Sequence, residues 1–329
     1  MRNLKLAGSL LFIACSSQPQ STNDMGQSDI KIFGQDLARA NAMAFRYVTN
    51  QILLPKNQAQ YNADLDGNGK SENALGGMVG LLSSQNIDLQ KEEDLLISHG
   101  DGLQLFSFMT TDTGLTTDAE AHVTLYAAKQ QDPPDFSGKG GFTVDPVVKS
   151  SVLVGSLASG SFQSQDPKKL SEPPTVYIKV PLYDDTRVTL PLRGARSAFT
   201  PLADQVKAGQ INGVVRRSDL EEILIPALAI TFTKVAQTEP CTQGSNCAFV
   251  RKSFDTGDCT NPNQSMAKAG DNVVDVCEVS QNALVMLLLT PDLQMFDSKG
   301  NWKPVPDGKE RDSLSFGVAF KAVNAKFSE

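Results

Sequence analysis

The sequence has few histidines, the side chain that most often serves as a general acid or base in enzymes. Its 329 residues include two histidines and one tryptophan. A Ser-His hydrolase would take its base from His99, in the turn Ser98–Gly102, or from His122, which begins an alternating strand. Gly-x-Ser-x-Gly, His-Glu-x-x-His, Walker and Gly-x-Gly-x-x-Gly motifs do not occur in the sequence. The sequence therefore contains no recognisable catalytic motif.

Clusters of positive charge and long apolar runs are also missing. The net charge is −7, and Arg216-Arg217 and Lys168-Lys169 are isolated pairs. We therefore expect no nucleic-acid partner, because such a partner needs a basic surface. No segment reaches the ~18 apolar residues of a spanning helix, and the run Ala283–Leu289 is short and soon followed by Pro291. An acidic protein attracts cations instead.

The N-terminus predicts export and lipid anchoring. Residues 1–14 have a basic start and then the apolar run Leu6–Ala14, which is the layout of a signal peptide. Leu11-Phe12-Ile13-Ala14-Cys15 resembles the lipobox of bacterial lipoproteins, although Phe12 stands where Leu is usual and the apolar run is short. The resemblance implies cleavage before Cys15 and acylation of that residue. The alternative is an ordinary secretory signal with an incidental cysteine.

The residues after Cys15 predict a tether and a location. The stretch Ser16–Ser28 is polar and cannot bury enough apolar surface to fold, so residues 15–40 are predicted to link the lipid to the domain. Ser16 is not the aspartate associated with retention in the inner membrane. We therefore expect an outer-membrane lipoprotein of the cell envelope, attached to the membrane by its N-terminal lipid.

Alternating apolar residues predict a mainly β fold for residues 41–329. Val176, Ile178, Val180 and Leu182 alternate with polar residues, and a turn leads into a second alternating run, which indicates an antiparallel hairpin. The further alternating runs are Phe45–Leu54, Leu103–Met109, His122–Ala127, Phe142–Val144, Val152–Leu157 and Leu314–Val323. We predict a single antiparallel β-sandwich domain, jelly-roll-like, with a β core over residues 95–215 and a closing strand over residues 313–323.

Helical periodicity is confined to two or three short segments. Asn73–Leu82 is weakened by three glycines, Asp219–Ala229 follows the N-cap residue Ser218, and Val276–Leu289 is the third. The second gives a predicted helix over residues 219–232.

Four cysteines crowd together near the C-terminus. Cys241, Cys247, Cys259 and Cys277 are separated by 5, 11 and 17 residues, whereas zinc ligands usually come in closely spaced pairs. Two disulfides, which imply an oxidising compartment, are therefore favoured over a four-cysteine zinc site. The segment 241–289 is predicted to be a disulfide-stapled region.

The segment 64–73 has the ligand spacing of a calcium loop. Asp64, Asp66 and Asn68 place oxygens at positions 1, 3 and 5, Gly69 at position 6 allows a sharp turn, and Glu72 at position 9 can bind through water. The segment resembles EF-hand, dockerin and thrombospondin type-3 loops, but position 12 is Leu75 rather than a bidentate Glu. The alternative is an Asp/Gly-rich turn that caps the following helix.

A second calcium site is predicted in two halves. Asp271, Asp275 and Glu278 match positions 5, 9 and 12 of the exit half of an EF-hand loop, and Asp255 belongs to an entrance half displaced by an insertion. A Cys259–Cys277 disulfide would hold the halves together, but it belongs to only one of three possible pairing schemes for the four cysteines.

Taken together, these features resemble uncharacterised predicted lipoproteins of myxobacteria and their relatives. The matching segments are Asn73-Ala74-Leu75-Gly76, the late Asp-Thr loop and Ser313-Leu314-Ser315-Phe316-Gly317. The resemblance covers both ends of the mature chain and implies no activity.

Two enzyme classes share features with this sequence. Asp-Thr-Gly at Asp112–Gly114 and Asp255–Gly257 is the triplet of aspartic proteases, but neither copy has the flanking residues of those enzymes. A glycosidase needs only two carboxylates roughly 5 to 9.5 Å apart and has no short motif. We therefore expect a non-enzymatic, calcium-stabilised envelope lipoprotein that binds a protein or glycan or serves a structural role. A surface polysaccharide hydrolase is the alternative.

Overall fold

The structure is a computed structural model that describes residues 42–84, 88–146, 151–170, 172–183, 186–257 and 268–328. Residues from Ala42 onward form one compact unit. The predicted signal peptide 1–14, the lipidation site Cys15, the tether 15–40 and Cys259 lie outside the described residues.

The strands form one large antiparallel sheet and one small hairpin. The described strands are β1 Met43–Leu53, β2 Gln104–Thr110, β3 Asp118–Ala127, β4 Ser151–Ala158, β5 Ser161–Ser164, β6 Thr175–Tyr183, β7 Thr186–Pro201, β8 Gln205–Arg216, β9 Gln294–Phe296, β10 Trp302–Val305 and β11 Ser313–Asn324. The sheet order is β5-β4-β3-β2-β1-β11-β8-β7-β6, and β5 also pairs with β7. The β5–β7 pairing therefore closes the sheet into a ring. β6 pairs with β7 but is not part of this ring, and β9 and β10 form a separate two-stranded hairpin.

The predicted fold class, mainly β and antiparallel, is confirmed. β6 and β7 form the predicted antiparallel hairpin, with Val176 opposite Leu192 and Ile178 opposite Leu190. All four of these side chains are buried. The predicted strand Phe142–Val144 forms only isolated bridges, from Val144 to Ala128 and from the adjacent Gly141 to Lys326.

Six helices are described, which is more than the sequence predicted. They are α1 Ala74–Ser84, α2 Leu89–Ser98, α3 (Arg217–Asp219, a π-helical turn Leu220–Leu224 and Ile225–Ala236), α4 Asn246–Ser253, α5 Val276–Gln281 and α6 Ala283–Leu288. Of the predicted β core 95–215, residues 95–98 belong to α2, and the sheet also includes β1, which precedes that range. The predicted helix Val276–Leu289 is interrupted at Asn282, whose side chain accepts hydrogen bonds from the N–H groups of Leu284 and Val285 and so begins α6.

Aromatic side chains dominate the main core. Phe106, Phe108 and Phe162 are at most 1 % exposed, and the ring of Phe108 stands edge-on to that of Phe162 at 5.4 Å. Helices α1 and α3 contribute Met78 and Phe232 to the same apolar cluster. Within the described residues, no helix combines the length and the apolar character needed to cross a membrane.

Candidate metal centre

The predicted calcium segment forms a closed loop between β1 and α1. Its two ends are joined by an antiparallel bridge in which Ala63 N donates to Glu72 O at 3.2 Å and Glu72 N donates to Ala63 O at 3.0 Å. Within the loop, Gly67 and Gly69 have φ of +89° and +81°. These left-handed conformations are costly for any residue with a Cβ, so glycine permits the two sharp turns that bend the chain back on itself.

Three carboxylates converge inside this loop. Asp64, Asp66 and Glu72 each present a carboxylate oxygen, and these oxygens lie within 4.8 Å of one another. Nowhere else in the described part of the chain do three or more His, Cys, Asp or Glu side chains form such a group. The group could hold a metal ion. Three of the four residues predicted from the spacing are therefore brought together.

The fourth predicted ligand, Asn68, takes part in the hydrogen bonds of the loop. Its side-chain oxygen accepts a hydrogen bond from Lys70 N at 2.7 Å. Its side-chain nitrogen donates to Asp307 Oδ1 at 3.2 Å. Both polar atoms of this side chain are therefore engaged within the protein.

Backbone N–H groups donate to the two aspartates, whereas one oxygen of Glu72 has no donor. Asp64 Oδ1 accepts from Gly67 N at 2.6 Å, and Asp66 Oδ1 accepts from Asn68 N at 3.0 Å. Glu72 Oε2 is buried and has no hydrogen-bond partner. Burial, followed by the neighbouring charge of Asp66, raises the pKa of Glu72 to about 7. A bound cation would supply the positive charge that this oxygen otherwise lacks.

The loop is fixed to the sheet by the packing of Leu65 and by a hydrogen bond to the backbone of Asp64. Leu65 is 2 % exposed and packs with Val214, Leu293 and Met295. Arg196 on β7 donates to the carbonyl oxygen of Asp64 at 2.8 Å. The three carboxylates are thus held on a rigid support and do not need to be ordered when a cation binds.

The C-terminal end of the loop is joined to the closing strand. Asn73 donates to Gly317 O on β11 at 3.0 Å and accepts from Gly317 N at 3.1 Å. A Cβ at position 317 would collide with Tyr61 O, so glycine allows this close approach. Leu75, at the position where an EF-hand has its bidentate Glu, is 1 % exposed in the core.

The second predicted site is organised by hydrogen bonds from the backbone. Asp255 accepts from Gly270 N at 2.7 Å and Asn272 N at 2.9 Å. Glu278 accepts from Thr256 N at 2.9 Å and Gly257 N at 2.6 Å. The entrance and exit halves are therefore in contact, but N–H groups satisfy these buried carboxylates.

The other two residues of that site are also used locally. Asp271 accepts from Val273 N at 2.9 Å, and Asp275 forms a capping box with Glu278 at the start of α5. Asp255, Asp271, Asp275 and Glu278 do not form a convergent group of ligand atoms.

The cysteine cluster forms disulfides. Cys241 is bonded to Cys247, with Cα atoms 5.7 Å apart, and Cys277 is also disulfide-bonded. Oxidation of Cys241 and Cys247 together removes two of the four thiolates that the zinc alternative needs. Disulfides are typical of proteins outside the cytoplasm.

The first Asp-Thr-Gly triplet is a turn. Asp112 accepts hydrogen bonds from the N–H groups of Thr117, Thr116 and Gly114. These bonds, of which that from Thr117 is the largest influence, hold the pKa of Asp112 far below its usual range. A catalytic aspartate of a protease dyad must share a proton, which this environment opposes.

Sequence reasoning missed Arg196 and Asp307 as parts of the loop's surroundings. Asp307 N donates to Asp66 Oδ2 at 3.1 Å, although the two residues are 241 positions apart in the chain. No local motif marks either residue, because both reach the loop only through the folding of distant strands.

Comparisons with protein-family models, with curated proteins and with solved structures find no match for this chain. The candidate site is therefore interpreted from its residues and their geometry.

Proposed function

We propose that this protein is an exported lipoprotein of the cell envelope, anchored through Cys15, with a non-enzymatic binding or structural role. We further propose that calcium bound by Asp64, Asp66 and Glu72 stabilises its fold. The convergence of these three carboxylates carries the metal part of the proposal. The lipobox-like sequence and the Cys241–Cys247 disulfide support export.

The donor set favours calcium among common cations. All three ligands are carboxylate oxygens, which are hard donors and suit Ca²⁺ or Mg²⁺ rather than zinc. Calcium accepts irregular oxygen geometry, whereas Mg²⁺ demands near-octahedral coordination and keeps its waters. A loop whose position 12 is the buried Leu75 cannot complete a full EF-hand set, which predicts weak binding with water filling the remaining positions.

The contacts of the loop support a mechanical role for the proposed metal. The loop touches the connection between β10 and β11 through Asp307, and Asn73 joins it to β11. Because β11 pairs with both β1 and β8, a cation in the loop would reinforce the closing strand of the sheet.

The test is thermal unfolding in chelator and in ~10 mM calcium. A site with a dissociation constant of ~10⁻⁴ M is predicted to contribute about 2.7 kcal/mol of stability under those conditions. The wild-type melting temperature should therefore rise with calcium and rise less with magnesium. Equal melting temperatures in chelator and calcium would show that the loop is a plain turn.

The variant Glu72→Gln tests whether Glu72 is a metal ligand or a purely structural residue. Glu72→Gln removes a carboxylate whose buried Oε2 atom has no hydrogen-bond donor, so in chelator the variant should be at least as stable as wild type. Its response to calcium should be lost. A merely structural Glu72 would give the opposite pattern, with lower stability and an unchanged calcium response. Glu222→Gln, at an exposed position on α3, is the control and should leave both properties unchanged.

The polysaccharide hydrolase stays an alternative predicted from sequence. It requires a cleft with two facing carboxylates. A cavity of about 260 Å³ between α3 and α6 is lined by a single carboxylate, Glu221, and that group accepts a hydrogen bond from Arg217 Nε at 2.8 Å. This cavity does not meet the requirement.

A further inference from the structure

The loop of residues 64–73 contains an asparagine followed by a glycine, Asn68-Gly69. Such a pair can react internally, because the backbone nitrogen after the asparagine can attack the side-chain amide carbon and form a cyclic imide. Glycine favours this reaction, since it has no Cβ to block the approach. The sequence has one other Asn-Gly pair, Asn212-Gly213 on β8, and the surroundings of the two pairs differ.

The side-chain carbonyl of Asn68 is folded back towards the peptide that follows it. Asn68 Oδ1 accepts a hydrogen bond from Lys70 N at 2.7 Å, which is the contact of an Asx turn. The same N–H polarises the carbonyl and would stabilise the negative charge that develops on Oδ1 during attack. Space for a ring is available, because a Cβ built on Gly69 meets no atom within 4 Å.

A base and an acid lie beside the reacting nitrogens. Gly69 N, the attacking atom, donates to Asp64 Oδ2 at 3.2 Å, which is within the reach of a general base. The leaving nitrogen, Asn68 Nδ2, donates to Asp307 Oδ1 at 3.2 Å. Lys70 Nζ lies 2.9 Å from the same oxygen. The ammonium group of Lys70 is therefore next to the leaving group and can give it a proton.

The other Asn-Gly pair lacks this arrangement. Asn212 is 6 % exposed, its Oδ1 accepts from Gln210 Nε2 at 2.8 Å and its Nδ2 donates to Tyr61 O at 2.6 Å. Gly213 is enclosed, because a Cβ at this position would lie 2.7 Å from Leu192 Cγ. The amide of Asn212 is thus bonded to side-chain and backbone groups outside the pair, and ring closure has little room.

We propose that Asn68 modifies itself, so that its side-chain amide becomes a carboxylate without an enzyme. Gly69 N attacks Asn68 Cγ and loses its proton to Asp64, while Nδ2 takes a proton from Lys70 and leaves as ammonia. Return of the proton from Asp64 to Lys70 regenerates both groups. Water then opens the imide at either of its two carbonyl carbons, which gives aspartate or isoaspartate at position 68. The reaction consumes water and involves no oxidant or reductant.

A divalent cation in the loop should oppose this reaction, an expectation that rests on the proposed metal site. Asp64 is one of the three carboxylates that would hold the cation. A carboxylate bound to a metal is a poorer proton acceptor, because the charge of the ion disfavours protonation. Calcium should therefore protect Asn68. The amount of carboxylate at position 68 would then record how long the loop has been without metal.

The test follows the conversion of both asparagines in the full-length chain by peptide mass spectrometry, with chelator present. In the folded chain we expect Asn68 to convert ~10-fold faster than Asn212 or more. Asn68 should also convert faster in the folded chain than in guanidinium, whereas Asn212 should show the reverse. Asp64→Asn should slow the conversion of Asn68 by about tenfold or more. The matched control is Glu310→Gln, which removes an exposed carboxylate from the connection that carries Asp307 and should convert like wild type.

Each other outcome overturns a defined part of the proposal. An unchanged mass at Asn68, or faster conversion of Asn68 in guanidinium, would refute self-modification promoted by the fold, as would equal rates at Asn68 and Asn212. Equal rates in wild type and Asp64→Asn would remove Asp64 as the base. If calorimetry detects calcium binding but calcium does not slow the conversion, protection by the metal is wrong and the metal site stands. If calorimetry detects no calcium binding, the metal site fails, and the rates in chelator alone decide the modification.

Discussion

Glu93 is a buried acid on the docking face of α2, and replacing it should stabilise the protein in a pH-dependent manner. Leu89, Leu96 and Ile97 form the rest of that face, and Glu93 is 2 % exposed among them. Burial, followed by the nearby charge of Asp94, raises the pKa of Glu93 from 4.5 to about 8. The folded state therefore keeps a proton that the unfolded chain releases between these two values.

The sign and size of the effect of Glu93 on stability follow from the difference between its pKa in the folded state and its pKa in the unfolded chain. Below pH 4.5 both states are protonated, so Glu93 causes no ionisation penalty. As the pH rises, the unfolded state is favoured by about 1.4 kcal/mol per pH unit until the pH passes the folded pKa. The penalty is predicted to reach about 3 kcal/mol at pH 7 and to level off near 5 kcal/mol above pH 8. The side chain at position 93 in Glu93→Gln is neutral at every pH, so this variant should not have the ionisation penalty.

Urea unfolding measures this prediction directly. The single tryptophan, Trp302, packs against Phe296 and reports unfolding by fluorescence, with chelator present throughout so that calcium does not contribute. Wild type and Glu93→Gln should have similar unfolding free energies at pH 4.5, and the variant should become progressively more stable towards pH 8. Glu222→Gln, at an exposed position, should follow wild type. A wild-type-to-variant difference that stays constant across this range would refute the argument that Glu93 is protonated in the folded state.

Three further results are expected. Cys15→Ala should move the protein from the detergent phase to the aqueous phase on partitioning, and wild type that is already aqueous would contradict lipid anchoring. Alkylation of the denatured, unreduced chain should leave Cys241 and Cys247 unlabelled because they are paired; label at both would contradict the disulfide. Asn73→Ala should lower the free energy of unfolding by about 2–4 kcal/mol, because it leaves buried backbone groups, including Gly317 N–H, without a partner. Urea unfolding at fixed pH checks this value, and a loss below ~0.5 kcal/mol would show that water replaces the amide.

The elements that were predicted correctly have a regular apolar pattern. β6 and β7 alternate strictly, because one face of each strand is buried and the other is not, and the structure buries the expected residues. α2 was missed because Glu93 interrupts its buried stripe and hides the helical period. The break at Asn282 was missed because the residues on both sides of it are apolar and continue a helical pattern.

The loop of residues 64–73 was likewise predicted only in part from the sequence. Its ligand spacing is local, and three of its four predicted ligands converge because glycines at two positions bend the chain through conformations that other residues avoid. The second predicted site shows the limit of spacing arguments. Asp255 and Glu278 have suitable positions, but nearby N–H groups from the folded backbone occupy their oxygens.

The β class, the closing strand and the loop that gathers Asp64, Asp66 and Glu72 can be predicted from the sequence, because each depends on side-chain period or on spacing within a few residues. Tertiary structure alone decided that the sheet closes through β5 and β7. It also decided that Asp307 lies beside the loop of residues 64–73. These features depend on contacts between residues far apart in the chain, which form only when burial of the shared core brings distant strands together.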